Sequence, residues 1–116
     1  MGWPKRKKNK YNAQTCVYDG HTYHSRAEAR YATELDLRVK AGELDHWERQ
    51  KRIALEAYGC HICNYYIDFI LYYADGRKEY VEIKGLETAT WKLKWKMFLA
   101  KLRKEEPGAT ASVRRV

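Results

Sequence analysis

The sequence predicts an α/β domain in which helices flank a central mixed β-sheet. Three observations carry that prediction. Two stretches, one ending near Ala41 and one near Lys104, place apolar residues at helical spacing. Between them, two β-rich segments are joined by Ala74-Asp75-Gly76, the strongest hairpin signal in the chain. At 116 residues, 45% of them apolar, the chain has enough material for one core, and a sheet covered by two helices buries both apolar stripes.

Residues 1–14 show no apolar periodicity and read as a flexible basic arm, leaving 15–116 as a single domain. Thr15 to Tyr18, then Asp19-Gly20, then His21 to Tyr23 has the pattern of a small hairpin. Ser25 is placed as a helix N-cap, with Glu28 three positions on in the capping-box arrangement. That helix should run to about Ala41 and stop at Gly42. At about 100° per residue, Tyr31, Ala32, Leu35 and Val39 share one sector. Glu28 falls inside that same apolar sector, which a cap alone does not explain.

Trp47 to Leu55 reads as a strand with a polar outer face, and Tyr58 to Cys63 as a turn. Strands then run from Asn64 to Tyr73 and from Arg77 to Ile83. The second helix starts near Thr88 or Thr90, with Trp91, Trp95, Phe98, Leu99 and Leu102 as its stripe, and Pro107-Gly108 stops it. The tail has room for a short final strand.

The register of the central hairpin decides the chemistry. A two-residue Asp75-Gly76 turn would put Asp68 opposite Ile83. A three-residue loop with Gly76 left-handed and a G1 bulge pairs Tyr73 with Arg77 and sets Asp68 opposite Glu82. The second register is favoured because it collects Ile67, Phe69, Leu71, Tyr73, Val81 and Ile83 on one apolar face. Asp68, Glu82 and Lys84 then share the other face, and a first helix packed there brings Glu28 beside them. Three converging carboxylates are costly without positive charge between them, and carboxylate oxygens with water suit Mg²⁺. Such a cation, with Lys84 stabilising charge or holding the attacking water, is equipment for phosphodiester hydrolysis.

Charge points the same way. The formal net charge is +8, with +5 in residues 1–10, +5 in residues 85–116 and −2 in residues 11–84. Cationic ends around a slightly acidic centre suggest a polyanion-binding surface, such as one for nucleic acid, beside a cation site. No run approaches the length of a membrane span, the basic N-terminal stretch is not followed by an apolar one, and three cysteines do not make a disulfide scaffold. The expectation is a cytoplasmic protein without a membrane partner.

Asp68, then Glu82-Ile83-Lys84-Gly85, with Ser25-Arg26-Ala27-Glu28 upstream, resembles the PD-(D/E)XK nuclease superfamily. Within it the chain is most similar to small phage and prophage proteins of a domain-of-unknown-function family, over roughly Tyr18 to Phe98. The resemblance implies a restriction-endonuclease-like core and an Mg²⁺-dependent DNA endonuclease, with Mn²⁺ as an alternative ion. It further implies branched or junction DNA as a candidate substrate and a phage protein working in a bacterial host as the setting. It also implies that Asp68, Glu82 and Glu28 hold metal, that Lys84 is the catalytic lysine, and that Gln50 approaches from a neighbouring strand. Ile67 departs from the motif, which has proline there.

Other residues invite narrower readings. Cys60-His61-Ile62-Cys63 has zinc-like spacing but supplies two thiolates of a four-ligand site, so a structural Zn²⁺ would need Cys16, His21 or His24 nearby. His21, His24 and His46 read as local or surface residues. The aromatic stripe of the second helix reads as core. Lys92, Lys94 and Lys96, with Lys5, Arg6, Lys7, Lys8 and Lys10 of the arm, are the candidate nucleic-acid contacts. A homodimer is expected because a duplex break needs two cuts. The rival is a non-catalytic nucleic-acid-binding module, stabilised by zinc, that uses the same basic residues.

Overall fold

A short antiparallel pair, β1 (Cys16–Tyr18) with β2 (His21–Tyr23), leads into the first helix, α1 (Arg26–Lys40). The structure, a computed structural model, describes residues 16–18, 21–23 and 25–116. The basic arm and its five cationic residues therefore lie outside the described residues, as does His24. Ser25 caps α1, its Oγ accepting the Glu28 N–H at 3.2 Å. At the other end Gly42 takes φ +82°, and the N–H groups of Gly42 and Glu43 donate to the carbonyls of Val39 and Arg38. That pair of bonds is a Schellman motif, with Ala41 as the cap and Gly42 one residue beyond it.

The sheet has the order β3-β4-β5-β6: β3 (Leu44–Ala57), β4 (Cys60–Tyr73), β5 (Lys78–Lys84) and β6 (Thr110–Arg115). The first three are antiparallel, and β6 returns parallel to β5 after α2 (Ala89–Glu105). This is the expected mixed sheet with helices on its faces, and the tail resolves into a strand. Among the described residues no helix is long and apolar enough to cross a membrane.

The expected turn over 58–63 contracts to Tyr58-Gly59. Both residues are left-handed, at φ +53° and +76°, between the paired Ala57 and Cys60. Two left-handed residues make a type I′ turn, whose twist matches that of the flanking strands. Cys60 to Cys63 consequently belong to β4, with a bulge where the register shifts opposite Leu55 and Glu56. The Ala74-Asp75-Gly76 loop follows the three-residue reading. Gly76 sits at φ +94°, its N–H bonds the Tyr73 carbonyl, and the Tyr73 N–H bonds the Arg77 carbonyl. The pairs Tyr72↔Lys78 to Phe69↔Val81 set the register that aligns Asp68 with Glu82.

Two cores result. Ala29, Tyr31, Ala32 and Leu35 of α1 pack with Leu44, Phe69, Leu71, Val81 and Ile83. Trp91, Phe98 and Leu102 of α2 pack with Leu55, Tyr65, Ile67, Ile70 and Tyr80 on the other face. Two expectations are corrected here. α1 covers the apolar Phe69–Val81 face and not the carboxylate face: its Tyr31, Ala32 and Leu35 pack with Phe69, Leu71, Val81 and Ile83. Ile67 leaves the face of Phe69 and joins the α2 core. Trp47 packs with the α1 core, whereas Ile53 and Leu55 pack with that of α2, so both strands exchange faces across the same short interval. Within it Gln50 has φ +50°, a conformation that costs a side-chain-bearing residue about 1–2 kcal/mol.

Candidate active site

At that interval the ladder gives way to side chains. The Ile83 N–H donates to Asp68 Oδ2 at 2.9 Å, so a carboxylate takes a main-chain donor of β5. Gln50 lies between the pairs Arg49↔Phe69 and Lys51↔Ile67, beside Asp68. Its Nε2 donates to Asp68 Oδ1 at 3.1 Å and approaches Glu28 Oε1 at 3.4 Å. The strained residue thus links a carboxylate of α1 to one of β4.

Glu28 reaches this point from the first turn of α1. Its backbone completes the Ser25 cap, while its side chain is 6% exposed and turned into the protein. Asp68 and Glu82 are 8% and 5% exposed. Glu82 and Lys84 face α2 from β5, with Lys84 Nζ 3.9 Å from Glu82 Oε2 and 5.0 Å from the centre of the Trp91 ring. The Tyr65 hydroxyl donates to Glu82 Oε1 at 2.7 Å and lies 3.4 Å from Trp91 Nε1.

The electrostatics record how crowded these acids are. Burial first, and the Asp68 carboxylate second, push Glu28 and Glu82 each up to about 8. Asp68 is raised by burial, against the pull of the Ile83 N–H and the Gln50 amide. The Tyr65 hydroxyl is raised by burial and then by Glu82, so it stays a donor. Among the described residues, no three His, Cys, Asp or Glu side chains are clustered tightly enough to hold one ion as they stand. The carboxylates form a row with Asp68 in the middle. The chemistry of the row, hard oxygen donors short of positive charge, fits a divalent cation such as Mg²⁺ or Mn²⁺.

The row opens into a cleft of about 530 Å³, lined by Gln50, Tyr65, Tyr66, Asp68, Glu82, Lys84, Thr88, Thr90, Trp91 and Lys94. All five predicted catalytic residues, Glu28, Gln50, Asp68, Glu82 and Lys84, are therefore gathered at or beside it. Lys94 is on its wall, its Nζ bonded to the Asn64 carbonyl at 3.1 Å. Lys92 and Lys96 are exposed elsewhere on α2 and do not line it. His46 stacks on Tyr72 with ring centres 4.2 Å apart and touches Asp45, away from the acids. Cys60 and Cys63 have free thiols near the tip of the β3–β4 hairpin.

Tyr65, Tyr66 and Trp91 were not anticipated at the site. Strand periodicity puts Tyr65 and Asp68 on opposite faces, and only the exchange of faces brings them together. Trp91 was legible as core, which it also is.

A family model described as a protein of unknown function, DUF1064, matches residues 8–112. The chain belongs to the DUF1064 family. Every residue of the cleft lies within the DUF1064 span. No curated protein and no solved structure matches the chain.

Proposed function

We propose that this DUF1064 protein is an Mg²⁺-dependent DNA endonuclease of the PD-(D/E)XK kind. The observation that carries the reading is the buried row Glu28–Asp68–Glu82, with Lys84 at its end and an open cleft above it. Burying neighbouring carboxylates weakens a fold, and groups so perturbed concentrate where chemistry is done.

Asp68 and Glu82 would hold the cation, with Glu28 completing the site directly or through water. When bound, a divalent cation neutralises charge on a phosphate and makes water a better nucleophile. The chain's own residues supply the rest. Gln50 fixes Asp68 and steadies Glu28 beside it. Tyr65 holds Oε1 of Glu82, while Oε2 faces the Lys84 ammonium. The Lys84 ammonium, braced on the Trp91 face, stabilises charge on the phosphate or orients the attacking water. The water oxygen bonds to phosphorus, the bond to the leaving sugar oxygen breaks, and that oxygen takes up a proton.

Lys94 on the cleft wall and the basic arm would grip backbone phosphates, and a homodimer would place two sites for a double-strand break. Branched or junction DNA fits such a pair, and a phage protein acting in the bacterial cytoplasm is the setting.

The test is a cleavage panel of single-strand, duplex, nicked, flap and four-way DNA with Mg²⁺. The wild type should cut at least one member, and Lys84→Ala should abolish cutting while retaining binding. Binding without cleavage by the wild type would leave only a nucleic-acid-binding module.

A further inference from the structure

Tyr66 is an aromatic side chain in an unusual place. It is 52% exposed on β4, two residues before Asp68, and it lines the same cleft as the acids. The rest of the cleft divides by chemistry. Asp68 and Glu82 make an acidic floor, Lys84 and Lys94 supply positive charge, and Thr88 and Thr90 add hydroxyls from the start of α2. Tyr65, the adjacent aromatic, is buried and bonded to Glu82, so it is not available to a ligand. Tyr66 is the aromatic surface left open to the cleft.

A DNA strand presents phosphates and bases in alternation. With a phosphate drawn to the lysines and to a cation held on the acidic floor, the neighbouring base falls within reach of the cleft rim. Within a paired duplex that base is stacked on its neighbours and its faces are covered. In an unpaired segment one face is free, and stacking on an aromatic ring is a sequence-tolerant way to hold it.

We propose that Tyr66 is a base-stacking platform beside the reacting phosphate, and that the preferred substrate is DNA with an unpaired nucleotide next to a duplex, as in a flap or a frayed junction. This rests on the nuclease reading and narrows its substrate class. Tyr66 is then a specificity-determining residue and takes no part in bond breaking.

The test separates the two ideas. In a Lys84→Ala background, binding is measured by fluorescence anisotropy on flap DNA and on fully paired duplex, adding Tyr66→Ala, Tyr66→Leu or Tyr66→Phe. Tyr66→Leu preserves an apolar side chain without an aromatic face, and circular dichroism checks that each variant folds. Loss of the platform should weaken flap binding about 10-fold or more, leave duplex binding within about 2-fold, and be rescued by Phe. A 2-aminopurine in the unpaired strand should be quenched by the Lys84→Ala protein and not by its Tyr66→Ala derivative. Flap binding unchanged in Tyr66→Ala and Tyr66→Leu, or an equal loss on flap and duplex, overturns the stacking proposal while leaving the nuclease standing. Failure of the wild type to bind or cut any DNA overturns both.

Discussion

Replacing Asp68 by Asn should make the metal-free protein more stable while destroying its activity. Asp68 sits between two carboxylates whose protons are held up to about 8, against an ordinary 4.5. At ~1.4 kcal/mol per unit, each displacement corresponds to ~5 kcal/mol of disfavoured ionisation. Burial is the larger part and the Asp68 charge the next. The Asp68 charge is the smaller of these two causes, so the part recovered at pH 8 is on the order of 1–2 kcal/mol. Asparagine is nearly isosteric: its carbonyl oxygen still accepts the Ile83 N–H, and its amide nitrogen donates to the Gln50 carbonyl once the Gln50 amide turns over. For a domain of this size the gain is roughly a 4–8 °C rise in Tm. Thermal melts of both proteins without divalent ions, at pH 8 and pH 5, measure it. The gain should shrink at pH 5, where Glu28 and Glu82 are neutral. An unchanged or lower Tm at pH 8 would show that the acid row is not under electrostatic strain, and would remove the argument that something positive belongs there.

Three further outcomes are expected. Glu28 and Glu82 bind protons more tightly in the folded protein than in the unfolded chain, so their stabilisation is full below about pH 4.5 and is lost as pH rises through about 8. Without divalent ions, Tm should therefore fall from pH 5 to pH 8, and Mg²⁺ should raise it more at pH 8, where the carboxylates are ionised; calorimetry at several pH values reads both. Tyr65→Phe removes the donor to Glu82 Oε1 and should cut kcat about 10-fold or more with little change in KM, and steady-state kinetics on the best substrate decides. Gln50→Gly relieves the left-handed backbone and removes the amide that ties Asp68 to Glu28, so it should leave Tm within a few degrees or raise it while activity falls; a large loss of stability would contradict the strain assigned to φ +50°.

Much of the site could be read without a structure, for reasons that are local. Gly76 fixes a three-residue loop, and the loop fixes the register that aligns Asp68 with Glu82. The 3.6-residue repeat of α1 turns Glu28 inward, and period two puts Glu82 and Lys84 on one face. The face that α1 covers is not legible in the sequence, because strand periodicity assumes an unbroken pleat. Gln50 breaks it, and nothing in its residue type announces a left-handed conformation. Over the same interval β4 also changes face, which puts Ile67 in the α2 core and Tyr65 beside Glu82. The turn at Tyr58-Gly59 is shorter than its sequence suggests for a similar reason, since a tyrosine rarely takes the first position of a type I′ turn.

Binding of Mn²⁺, followed by electron paramagnetic resonance on the wild type and on Asp68→Asn at pH 8, bears most directly on whether these acids form a cation site. Saturable binding by the wild type that is lost in Asp68→Asn, with Mg²⁺ competing in the wild type, is the predicted result. No saturable binding, or binding equally strong in Asp68→Asn, would contradict it.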